Sequence, residues 1–77
     1  MNKQRRKEIE RALLLLGEAK EILESVREDE NDAYDNLPES IQYSERGEAM
    51  CDCVDMLDSG LSELDDFADA LSEVAFG

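Results

Sequence analysis

The side chains best suited to chemistry are two cysteines, Cys51 and Cys53, and a dense population of carboxylates; histidine is absent from the 77 residues. Without histidine the commonest general base and metal ligand near neutral pH is missing. A separation of two residues on a helix is about 200° of rotation, which points the two thiols to nearly opposite sides. The pair therefore reads as structural, with Cys53 a small hydrophobe on the packing seam and Cys51 a partly exposed thiol outside it. The densest carboxylate run, Asp29-Glu30-Asn31-Asp32 followed by Asp35, is a candidate for Ca²⁺. It lacks the glycine at the sixth position and the glutamate at the twelfth that an EF-hand loop requires. Acid–base catalysis by paired carboxylates needs a pocket that raises one pKa. No glycine-rich phosphate loop is present either. The expectation is a protein that is not an enzyme, with no cofactor and no metal site.

Collectively the carboxylates say more. The net charge is −13, and it is unevenly spread. Residues 1–20 hold Lys3, Arg5, Arg6, Lys7, Arg11 and Lys20 against Glu8, Glu10 and Glu18, whereas the rest of the chain has only Arg27 and Arg46 as cations and none beyond Arg46. Nucleic acid and anionic membranes are bound by cationic neutralisation of phosphates, so neither is expected as a direct ligand. A basic protein surface, approached by electrostatic steering, fits better. The same acids also keep a small protein soluble. The longest apolar run, Ala12 to Leu16, is far short of the roughly 20 residues of a membrane span. Two closely spaced cysteines do not make a secreted disulfide scaffold, so a reducing, cytoplasmic location is expected.

The positions of these groups are set by helices. From Lys3 to Asp35 only Gly17 weakens a helical pattern, at a cost of about 1 kcal/mol. Ile9, Leu16 and Leu23 recur on one heptad row and Ala12, Ala19, Val26 and Ala33 on another, with Leu13 and Ile22 widening the stripe. Leu14 falls away from that seam and is a candidate self-association residue. The segment 36–44 carries the punctuation: Asn36 with Glu39 forms a capping-box pattern, Pro38 suits a first turn, and Ser44 offers a further N-cap. A second helix over 45–75 has Met50, Leu57, Leu64 and Leu71 on one row and Cys53, Gly60, Phe67 and Val74 on the other, broadened by Val54 and Leu61. The expected fold is all-α: one domain over residues 1–77, an antiparallel, coiled-coil-like two-helix hairpin with a short helical connector, dimerising into a helical bundle. Antiparallel packing would also set Lys3 to Arg11 beside Asp65, Asp66, Asp69 and Glu73, so that each end that opposes its helix macrodipole meets the opposite charge.

On the second helix Glu48, Asp52, Asp55, Asp66, Asp69 and Glu73 occupy two neighbouring heptad rows, flanked by Asp58 and Asp65. These eight carboxylates are the candidate partner-binding face. At a rise of ~1.5 Å per residue, acids recur about once per 5 Å of axis, within a factor of two of the ~3.4 Å phosphate spacing of a DNA strand. The face therefore permits mimicry of DNA.

The connector Asp35-Asn36-Leu37-Pro38-Glu39-Ser40-Ile41-Gln42-Tyr43-Ser44-Glu45-Arg46-Gly47-Glu48, preceded by the basic opening Asn2-Lys3-Gln4-Arg5-Arg6-Lys7, resembles that of small helical proteins found among bacteriophage and prophage products. The resemblance implies a phage or mobile-element origin and a two-helix architecture, and brings no catalytic residues. It leads to the expectation of an interaction protein that binds and inhibits a basic, nucleic-acid-binding host or defence protein. The alternative expectation is a structural module whose self-assembly is its purpose.

Overall fold

In a computed structural model describing residues 1–77, the chain forms α1 (Lys3–Asp35), α2 (Glu39–Gln42) and α3 (Glu45–Phe76), with no strand. The start of α1 is fixed by Asn2, whose side-chain oxygen accepts the Arg5 backbone N–H at 2.8 Å. This cap satisfies one of the free donors of the first turn, and sequence reasoning overlooked it.

The bounds of both long helices match the expected ones, but the cap assigned to Asn36 does not hold. Asn36 closes α1: it has helical backbone angles and donates its N–H to the Asp32 carbonyl at 3.1 Å. Pro38 is the N-cap of α2, and its carbonyl accepts from Ile41 and Gln42. The reason lies in Pro38, which disfavours helical backbone at Leu37 and so separates Asn36 from the turn it was expected to open. Ser44 does begin α3, through its carbonyl, which accepts from Glu48 at 3.0 Å. Its hydroxyl turns back instead and donates to the Ile41 carbonyl. Gln42 Nε2 donates to the Tyr34 carbonyl at 3.1 Å, tying the connector to the end of α1.

The two long helices pack antiparallel, since Lys20 meets Asp65 and Arg27 meets Asp58. One of the two predicted rows on each helix faces the partner helix. Ile9 and Leu16 of α1 and Met50, Leu57, Leu64 and Leu71 of α3 are half-buried, while Leu23, expected on the same α1 row, is exposed at its edge. The second rows differ. On α1, Ala12, Ala19, Val26 and Ala33 are exposed, and the inward row is Leu13, Lys20, Arg27 and Tyr34. Lys20 and Arg27 lay their aliphatic stems over the seam and carry their charges to its edge, where an acid waits. On α3 the inward row is Gly47, Val54, Leu61, Ala68 and Ala75, while Gly60, Phe67 and Val74 face out. Small residues let the helices approach, whereas Phe67 on the seam would hold them apart. Ile22, expected to widen the α1 stripe, is likewise exposed.

Gly47 is buried where α3 crosses the connector, and a Cβ there would collide with the Gln42 carbonyl, carbon and Cα. Only glycine permits this approach of α2 to α3.

The ion-pair register sets Phe76 level with Ile9, so the first turn and a half of α1 projects past the end of α3. Lys3 to Arg11 form no ion pair, so the charge pairing expected between them and Asp65 to Glu73 is not realised, and Asp65 pairs instead with Lys20. The molecule is a rod of 58 × 15 × 14 Å. Its core is thin: only Leu61 and Ala75 count as buried apolar residues. No helix is long and apolar enough to cross a membrane.

Candidate functional site

Side chains leave a helix at about 100° intervals, so each heptad row has a fixed angle from the seam. Because α1 and α3 run in opposite directions, rows displaced in the same rotational sense fall on the same side of the hairpin. Two observed groupings confirm this. Glu24 and Glu28 border one shallow depression together with Asp58, and Leu13 and Leu14 border another together with Phe76. The hairpin therefore has two unlike flanks.

One flank is acidic. Of the eight carboxylates singled out in the sequence, Glu48, Asp52, Asp55, Asp58, Asp66, Asp69 and Glu73 are exposed and Asp65 is half-buried. Asp58 and Asp65 face α1, where they engage Arg27 and Lys20. Lys20 also lies 3.9 Å from Glu24. Glu48, Asp55 and Asp69 point to the acidic flank, and Asp52, Asp66 and Glu73 to the back of α3. Helix α1 adds Glu21, Glu24, Glu28 and Asp35, all exposed. The sequence reading confined the face to one helix and missed these four. Their spacing of three, four and seven residues was the available signal, because it places them on one side of α1.

Lys20 is held above its ordinary pKa of 10.5, first by its hydrogen bond to Asp65 and then by the field of neighbouring acids, against partial desolvation. Arg27 is raised in the same way by Asp58. Both cations are therefore locked in the charged form and neutralise the two innermost acids, leaving the outer ones uncompensated.

The thiols occupy opposite sides, as two-residue spacing requires, but not with the assigned partners. Cys51 is half-buried on the acidic flank beside Tyr34, and this polar neighbour together with desolvation raises the Tyr34 pKa above 10.0. Cys53 is also half-buried but lies outside the seam, whose row is taken by Val54. No group of three or more histidine, cysteine, aspartate or glutamate side chains converges to ligate a metal, and the Asp29 to Asp35 run spreads around its helix. Leu14 is exposed, as its register predicts, and sits with Phe76 on the acidic flank.

The other flank is apolar. Leu15, Ile22 and Val26 of α1 stand beside Met56, Phe67 and Val74 of α3, all between 45% and 64% exposed. Small residues, Ala19 and Gly60 among them, fill most of the intervals, and two exposed acids, Asp29 and Glu63, share the rows of Ile22 and Met56. Compared with protein families, curated proteins and solved structures, the chain has no match.

Proposed function

We propose that this chain is a non-enzymatic, phage-type interaction protein that acts in the cytoplasm of a bacterial host as a homodimer. Its acidic flank occupies the basic, nucleic-acid-binding site of a host protein, such as a defence nuclease or a transcription factor, and thereby inhibits it. The observation that carries this reading is the convergence of carboxylates from both long helices on one flank, where Lys20 and Arg27 are tied to Asp65 and Asp58 and the further cations Lys3 and Lys7 lie only at the open end. A field of one sign over a broad surface raises the encounter rate with a basic partner and sets its orientation.

The reading is tested by replacing Asp55 and Asp69 of the acidic flank and the adjoining Asp52 and Asp66 on the back of α3 together with asparagine. Partner binding should weaken strongly while helicity persists, because these positions lie off the seam and the change relieves like-charge repulsion. Wild-type association should slow as salt rises from about 50 to 200 mM, and DNA should compete for the partner. Tight, salt-insensitive binding by the four-asparagine variant would refute the acidic site. Self-assembly as the whole purpose of the chain is the second reading, favoured by the apolar flank. Affinity purification that returns only the chain itself would select it.

A further inference from the structure

The chain exposes 5838 Å², whereas a compact monomer of 8.7 kDa would expose about 4,700 Å². Most of the exposed large hydrophobic side chains of the two long helices, Leu15, Ile22, Val26, Met56, Phe67 and Val74, lie on one side. The stretch from Ala12 to Ala33 on α1 and from Cys53 to Val74 on α3 covers about 30 Å of the rod's length at ~1.5 Å per residue. Charged residues border it, Arg5 and Glu8 towards the open end and Arg46 towards the connector, while Asp29 and Glu63 share its outer rows with Ile22 and Met56. Apolar side chains edged by charged ones are the anatomy of a protein interface. The whole flank, 58 Å by 15 Å, outlines on the order of 800 Å², the share of each partner in a standard stable interface.

The stretch is centred on the midpoint of the rod, which favours a second copy over an unrelated partner. Rotating the hairpin by half a turn about an axis through that midpoint lays the apolar patch onto itself. The ends then decide the direction. A parallel pair would set two acidic connectors side by side. An antiparallel pair sets the projecting basic turn of α1, with Lys3, Arg5, Arg6 and Lys7, beside the partner's connector end, which carries Glu39 and Glu45. The basic turn has no ion-pair partner within its own chain, and symmetry forms this contact twice.

We infer that the flank bearing Ile22 and Phe67 is a homodimer interface that pairs two hairpins antiparallel into a four-helix bundle, with the basic opening of each copy on the acidic connector of the other and the two acidic flanks facing outward. The inference deepens the homodimer part of the proposed function and does not depend on the identity of the host partner.

The test is solution mass by light scattering at tens of micromolar, combined with zero-length carbodiimide coupling of lysines to carboxylates. Wild type should show twice 8.7 kDa, and Ile22→Glu and Phe67→Glu should each return it to the monomer with unchanged helicity. Leu14→Glu, on the opposite flank, should stay dimeric. Lys3 and Lys7 should couple to connector acids, which lie at the far end of their own 58 Å rod and are within reach only on a second copy. A monomeric wild type would overturn the inference, as would dissociation by Leu14→Glu with none by Ile22→Glu, or a covalent dimer lacking lysine-to-connector links. The four-asparagine variant should remain dimeric whether or not it binds a host protein, so failure of the acidic-site reading and failure of the dimer are separately visible.

Discussion

Gly47 is the residue whose identity the fold constrains most sharply. An added Cβ meets backbone atoms of Gln42 and not the movable tip of a side chain, so the connector has to shift. Gly47→Ala should destabilise by about 1–3 kcal/mol, the cost of overpacking a closed site, read as a lower denaturant midpoint. Gly17 provides the contrast, because nothing lies within 4 Å of its missing Cβ. There the substitution changes only helix propensity, and Gly17→Ala should stabilise by up to about 1 kcal/mol. Equal responses at the two positions would mean that α2 does not pack on α3 as described. The glycine in the Ser44-Glu45-Arg46-Gly47 sequence is thus explained by a backbone approach.

At the scale of the elements, α1 and α3 are held by a narrow seam with charged edges. Leu61→Ala, at the most buried large side chain, should cost about 2–5 kcal/mol, whereas Asn2→Ala removes one cap bond and should cost about 1 kcal/mol. The pH response follows from Lys20 and Tyr34, whose pKa values lie above 10.5 and 10.0 respectively. Each binds its proton more tightly in the fold, so its contribution is complete below the unfolded pKa and is lost as pH rises through the folded value. The thermal midpoint should therefore hold to roughly pH 9 and fall above about pH 10. A Lys20→Met, Tyr34→Phe double variant should flatten that decline, and an unchanged profile would mean that the seam-edge contacts are not formed in solution.

For the whole molecule the governing quantity is a net charge of −13 on a rod with a radius of gyration of 17.2 Å, against about 11.5 Å for a compact domain of this length. Elongation spreads the charge but does not cancel it, and two inter-helix ion pairs leave most acids uncompensated. Exposed pairs of this kind contribute little to stability. Raising salt from about 10 to 150 mM shortens the screening length to roughly 8 Å, and thermal stability should rise because net repulsion is being removed. A fall would show that the pairs outweigh the repulsion.

The sequence by itself determined the all-α class, the bounds of both long helices, one seam row on each, the exposure of Leu14 and the off-seam placement of the second-helix acids. These follow from helical periodicity, breakers and length, which are properties of the chain within a few residues. Tertiary structure alone decided which neighbouring row completes each seam. On hydrophobicity, Ala12, Ala19, Val26 and Ala33 compete well against Leu13, Lys20, Arg27 and Tyr34, and the second set faces inward, where the small residues of α3 admit it and Lys20 and Arg27 meet Asp65 and Asp58 at the edge. Turning the helices by one row moved Phe67 and Ile22 out of the core onto a common flank and brought Glu21, Glu24, Glu28 and Asp35 into line with the acids of α3. Which sides of two helices become one surface depends on their mutual rotation, and that is fixed by contacts between residues some 30–45 positions apart in sequence.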